Sequence, residues 1–139
     1  MKRLFRRLGM GVGAIVAVPV LLLLHWINRR WQRSATAMIA RLGAVDFPGL
    51  VVDPQRVGAA VNLAGRLART DQTGCLARAQ LIWLVISWGG ARPTIRVGAG
   101  ADLGVGGIAH AWVELDDQVI GESPAIAEQY PPFDRPLLT

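Results

Sequence analysis

Cysteine and histidine are scarce in this chain of 139 residues, and acidic residues are missing from its first 41 positions. There is one cysteine, Cys75, and there are two histidines, His25 and His110. A single cysteine excludes an internal disulfide framework and leaves a free thiol, which suits a reducing cytosol. One cysteine and two histidines are too few for a structural zinc site, so no metal or cofactor is expected. No acid occurs in residues 1–41, which carry Lys2, Arg3, Arg6, Arg7, Arg29, Arg30, Arg33 and Arg41. Those are eight of the 15 basic residues, so the remaining seven face all ten acids in residues 42–139. The net charge of +5 therefore belongs to the N-terminal segment, and the rest of the chain is mildly acidic. That pattern does not suit a uniformly basic nucleic-acid binder. It suits a basic leader that favours anionic lipid headgroups or an acidic partner.

What the chain has in abundance is apolar surface: 52% of its residues are hydrophobic and the mean hydropathy is +0.34. The length is that of one domain with a real core. Residues 8–27, LGMGVGAIVAVPVLLLLHWI, are long and apolar enough to cross a bilayer. A signal peptide does not fit, because NRRWQRS follows where a short neutral cleavage region belongs. Arginines flank both ends, and three glycines and Pro19 weaken a spanning helix. A membrane-associated helix and a helix packed on the domain remain as the two readings, with His25 structural in either case.

Residues 29–42 form an amphipathic pattern, with Trp31, Ala35, Met38, Ile39 and Leu42 on one face. Residues 1–42 are thus expected to be a basic and apolar helical segment preceding a domain at 43–139. DFPGLVVDP, 46–54, is a connector. A helix over 54–69 has Pro54 in its first turn and Asp53 as cap. TDQTG, 70–74, breaks it. A buried helix then runs from Cys75 to about Trp88, because its apolar residues cover more than one face. GGARP ends it. Strands are expected at 94–100, 108–115 and 118–123, with a Gly-rich loop at 101–107 and a Pro-rich tail wrapping the surface. The fold class is α+β, helices first and a small antiparallel sheet after.

Cys75 opens a helix, where the macrodipole supports a thiolate. A buried, inert thiol is the alternative. His110 lies mid-strand in IAHAWVEL, on one face with Trp112 and Glu114. A Cys–His pair needs a third group to orient the imidazole, and Glu114, Asp116, Asp117 and Glu122 are the candidates. A three-residue loop, Leu115-Asp116-Asp117, with Asp117 left-handed, pairs Glu114 with Gln118 and His110 with Glu122. Opposed side chains then sit ~5 Å apart at Cβ, within reach of a carboxylate–imidazole bond. A two-residue Asp116-Asp117 turn pairs His110 with Ser123 and sends Glu122 to the other face. The first register makes Glu122 the acid, Glu114 the reserve, and Asp116 and Asp117 turn residues.

A cysteine at a helix start, HAW on a strand and an acid on the next strand resemble the transglutaminase-like, papain-related cysteine hydrolases. GCLARAQLIWLVISWGGARPTIRVGAG, followed by AHAWVELDDQVIGE, resembles one branch more closely. That branch is the leader peptidase of lasso-peptide biosynthesis, the protease half of the lasso B protein in stand-alone form. The resemblance covers roughly 57–139. It implies a cytoplasmic cysteine peptidase, associated with a membrane if residues 8–27 engage one, that removes the leader from a ribosomally made precursor through a thioester. It implies three partners: the precursor peptide, a separate leader-recognition protein and an asparagine-synthetase-like macrolactam cyclase. The triad it implies is Cys75, His110 and Glu122, with glutamate where the family often has aspartate. The Cys75 backbone N–H and the side chain of Gln72 are the oxyanion candidates, although Gln72 equally suits a turn-solvating role. Trp112 is either a wall of the site or a core residue. Other acyl transfers on the same triad, and a non-catalytic membrane-anchored scaffold with an inert thiol, are the competing readings.

Overall fold

The computed structural model describes residues 2–45, 47–70, 74–100 and 109–139. Three helices come first and a three-stranded antiparallel sheet comes after them. Helix α1 spans Lys2–Gly43, α2 Pro54–Leu67 and α3 Cys75–Trp88. The strands are β1 (Thr94–Ala99), β2 (Ala109–Leu115) and β3 (Gln118–Ile120), in that spatial order. One short helix, α4 (Ile126–Gln129), precedes the tail.

The apolar run and the amphipathic segment expected as separate pieces join in α1. The helix is interrupted at Trp31, whose φ of −146° and ψ of 58° are non-helical. Its inner face carries Ala14, Leu21, Leu24, Ala35 and Ile39, packed against α2 and α3. Trp31, Met38 and Leu42, expected on the buried face, are exposed. The kink displaces the register at Trp31, so Asn28, Ala35 and Ile39 rather than Trp31 lie along the inner seam. Asn28 donates to Gln80 of α3 across it (2.7 Å), and Gln80 also reaches Thr36 (3.3 Å). Gln80 is fully buried, and these partners satisfy it.

Helix α2 starts as its sequence dictates. Asp53 accepts from the Arg56 N–H at 3.2 Å, and Pro54 fills the first turn, where its missing N–H costs nothing. Helix α3 is the centre of the molecule. Ten of its fourteen residues are buried, so it meets α1, α2 and the sheet on all sides, as its unbroken apolar character requires. The Trp83 indole N–H donates to the Pro93 carbonyl at 2.8 Å, tying α3 to the start of β1. The N-terminus of α3 lies against β2, with Cys75 beside the Ala109 carbonyl.

The β2–β3 hairpin corrects the expected register. Leu115 pairs with Gln118, Glu114 with Val119 and Val113 with Ile120. The turn therefore has two residues, Asp116 (φ 49°) and Asp117 (φ 61°), both left-handed. Such a turn matches the right-handed twist of the flanking strands, which a two-residue turn with ordinary φ would not. Strand β3 ends at Ile120, three residues before the expected limit. The tail also does more than wrap the surface. Leu138 bridges Ile95 and Pro132 bridges Gly98, so the last segment pairs with the outer edge of β1.

Candidate active site

Cys75 is the first residue of α3, and its thiol is half-buried against β2. Its Sγ lies 4.0 Å from the Ala109 carbonyl, and the His110 side chain is close enough to favour its thiolate. The start of α3 is held from below by Thr70. The Thr70 carbonyl accepts from Gly74 N–H at 2.7 Å and from the Arg78 guanidinium at 3.1 Å. Thr70 is itself held by its N–H bond to Gly65 of α2 at 2.9 Å. The first amides of α3 thus point at a fixed place, as anion-stabilising helix starts do.

His110 rises from β2, with Nε2 3.4 Å from Oε1 of Glu122. That contact is long for a hydrogen bond, and Nε2 has no closer partner among the described residues. Catalytic hydrogen bonds in unliganded sites often have this looseness and tighten when substrate binds. With Nε2 on the carboxylate side, Nδ1 is the nitrogen left to meet the thiol.

Glu122 reaches His110 by a route other than the expected one. In the observed register, simple alternation would turn Glu122 to the opposite face. Gly121 breaks the alternation. Its φ is +75°, a conformation open to glycine, and a Cβ there would lie 3.0 Å from Cα of Gly58 on α2. Asn62 of α2 donates to the Gly121 carbonyl and holds the reversal in place. The chain swings around α2 at this point and delivers Glu122 to the imidazole.

The electrostatics of the three groups interlock. Burial is the largest influence on Cys75 and works against the thiolate. The His110 hydrogen bond, the Ala111 backbone and the positive charges of His110 and Arg78 outweigh it, and the thiol sits below its ordinary 9.0. The hydrogen bonds to Cys75 and then to Glu122 raise His110 to about 9, against partial desolvation. The His110 hydrogen bond holds Glu122 below its ordinary 4.5. An imidazolium between two anions is the charge state this geometry favours. It is the state a cysteine nucleophile needs.

The reserve acid is committed elsewhere. One oxygen of Glu114 accepts from Arg96 at 3.1 Å and the other from the Trp112 indole at 2.9 Å. Trp112 is 1% exposed, so it packs beneath the site. Asp116 and Asp117 are turn residues. Gln72 and the Gly-rich loop at 101–107 lie outside the described residues. Two contributors escaped the sequence reading. Arg78 lies one turn beyond Cys75 and is buried among these charges, a placement that the i, i+3 spacing in CLAR could have signalled. Tyr130 stacks on His110 with ring centroids 4.9 Å apart, and no local pattern marked it.

The chain matches the transglutaminase-like superfamily over residues 14–134, which takes in most of α1 and ends within the tail. No curated protein and no solved structure gives a significant match.

Proposed function

The chain belongs to the transglutaminase-like superfamily, and on that premise we propose that it is a cysteine peptidase that removes the leader from a lasso precursor peptide. The convergence of Cys75, His110 and Glu122 carries the reading. In the proposed reaction His110 holds the Cys75 proton and the thiolate attacks the scissile carbonyl. The Cys75 backbone N–H at the start of α3 faces the oxyanion, with Gln72 as the second donor. The imidazolium then passes its proton to the leaving amine as the C–N bond breaks, which leaves a thioester. Water, deprotonated by His110, attacks the thioester, releases the leader and restores the thiol. Glu122 orients the imidazole throughout and stabilises its charge.

The resemblance of GCLARAQLIWLVISWGG and AHAWVEL to lasso leader peptidases supports the substrate assignment. The same resemblance supports a leader-recognition protein and a macrolactam cyclase as partners. We place the protein in the cytoplasm, lying against the membrane through α1, which is long and apolar enough to cross one.

The test is cleavage assayed by mass spectrometry, with precursor peptide and recognition protein present. Wild type is expected to cut at one bond and Cys75→Ala to show no cleavage. Transfer of the peptide to an added amine without hydrolysis would replace peptidase action with another acyl transfer. No reaction of either kind from wild type would overturn the enzymatic reading.

A further inference from the structure

The C-terminal tail reaches the candidate site as well as the sheet edge. Tyr130 closes α4, its N–H donating to the Ile126 carbonyl at 2.9 Å. The chain then joins β1. Ala99 N–H donates to Pro131 O (3.3 Å), Phe133 N–H to Val97 O (2.9 Å) and Ile95 N–H to Leu138 O (2.9 Å). These bonds strap the tail along most of β1.

The strap comes close because residue 98 has no side chain. Gly98 pairs with His110 across the β1–β2 ladder. A Cβ at Gly98 would strike the Tyr130 carbonyl oxygen and lie 2.6 Å from that of Pro131. A Cβ at Gly100 would lie 3.4 Å from the Tyr130 ring. Gly98 thus makes room for the strap, and Gly100 lies against the tyrosine ring. The ring it delivers lies over the imidazole at 4.9 Å with an interplanar angle of 28°.

We propose that Tyr130 is a positioning residue for His110, and that the C-terminal strap is therefore part of the reaction centre. The inference rests on the Cys–His–acid reading above. An imidazole free to rotate about its Cβ–Cγ bond would lose either the thiol or Glu122. A ring stacked on its face restricts that rotation. The ring's negative face also favours the imidazolium over the neutral base. Among the described residues, the other groups facing His110 are Cys75 from α3, Glu122 beyond β3 and Trp112 on β2, with Arg78 of α3 acting on Cys75 and Glu122. Arg96 and Glu114 farther along the sheet are paired with each other.

The experiment measures the pH dependence of Cys75 alkylation by iodoacetamide, which needs no peptide substrate. It uses the full chain, with folding checked by thermal melting. Wild type is expected to form its thiolate with a midpoint below pH 9.0, the ordinary thiol value. Tyr130→Leu keeps apolar bulk without a π face and is expected to move that midpoint up by roughly one pH unit. Tyr130→Phe should retain the wild-type curve. If Tyr130→Leu does not fold, Gly98→Ala displaces the strap with the ring intact and carries the same expectation. A lowered wild-type midpoint unmoved by either variant, or moved equally by Tyr130→Phe, overturns the role of the ring and leaves the triad standing. A wild-type thiol at its ordinary value overturns the triad reading, and this inference with it.

Discussion

At Cys75 and His110 the fold draws two titrations together, lowering the thiol and raising the imidazole. Unfolded, the imidazole titrates near 6.5 and the thiol near 9.0; folded, His110 holds its proton to about 9 and Cys75 gives its proton up early. The consequences for stability oppose one another. A raised histidine contributes stability that is full below 6.5 and lost as pH rises to about 9. A lowered thiol contributes stability that is gained as pH rises past its folded value and is full above 9.0. The two trends oppose each other below pH 9, so wild-type stability is expected to fall less across that range than the histidine alone would make it. In Cys75→Ala only the histidine part survives, because Glu122 still raises it. Urea denaturation of that variant should therefore show stability falling as pH rises above 6.5. A flat profile in the variant would remove the imidazolium from the account. Catalysis should fade above about pH 9 in wild type as the imidazolium deprotonates, and Glu122→Gln should move that limb to lower pH.

Between residues and the whole, the short strand β3 and its exit at Gly121 decide the site. The hairpin turn sets a register that by itself would turn Glu122 away from His110. Gly121 reverses that outcome with one left-handed residue locked against Gly58 and Asn62 of α2. Gly121→Ala is expected to cost about 2 kcal/mol or more, from left-handed strain together with a Cβ that has no room beside the α2 backbone. Its effect should be double. The urea midpoint should fall, and the NMR titration of His110 should move from about 9 toward 6.5 as Glu122 leaves its place. A destabilised variant with His110 still near 9 would mean that Glu122 does not depend on this reversal.

Taken whole, the molecule has an asymmetric surface. One face of α1 is buried on α2 and α3, which sets the helix lengthwise along the domain. Its outer face is also apolar: Ile15 is 67% exposed, Leu23 56% and Trp26 58%, beside Val16 and Leu22. All eight basic residues of 1–41 flank this stripe or continue beyond it, with no acid among them. That arrangement fits a helix lying in the plane of an anionic bilayer, with the domain above it. We expect the protein to pellet with vesicles containing phosphatidylglycerol and to be released by salt. Replacing both Leu22 and Leu23 by Gln should weaken binding by more than roughly tenfold, since each buried leucine is worth about 1.5–3 kcal/mol. Binding that ignores lipid charge and both leucines would defeat this placement.

Local chemistry in the sequence was enough for the helix starts. Asp53-Pro54 begins α2 and the GG pair ends α3. The apolar surround of 75–88 marks a buried helix, and the opening of that helix and the HAW strand marked Cys75 and His110 as candidates. Each of these depends on residues a few positions apart. What tertiary structure alone decided depends on distant segments meeting. Alternation could not place Glu122 correctly, because its position depends on Gly121 pressing against Gly58, 63 positions earlier. The exposed side of Trp31 depends on a kink in α1, and the occupation of Glu114 depends on Arg96 in the neighbouring strand. Tyr130 arrives over His110 only because a strap of backbone hydrogen bonds crosses β1 where glycine leaves room. Backbone pairing of that kind carries no side-chain signature, so no periodicity in the tail could announce it.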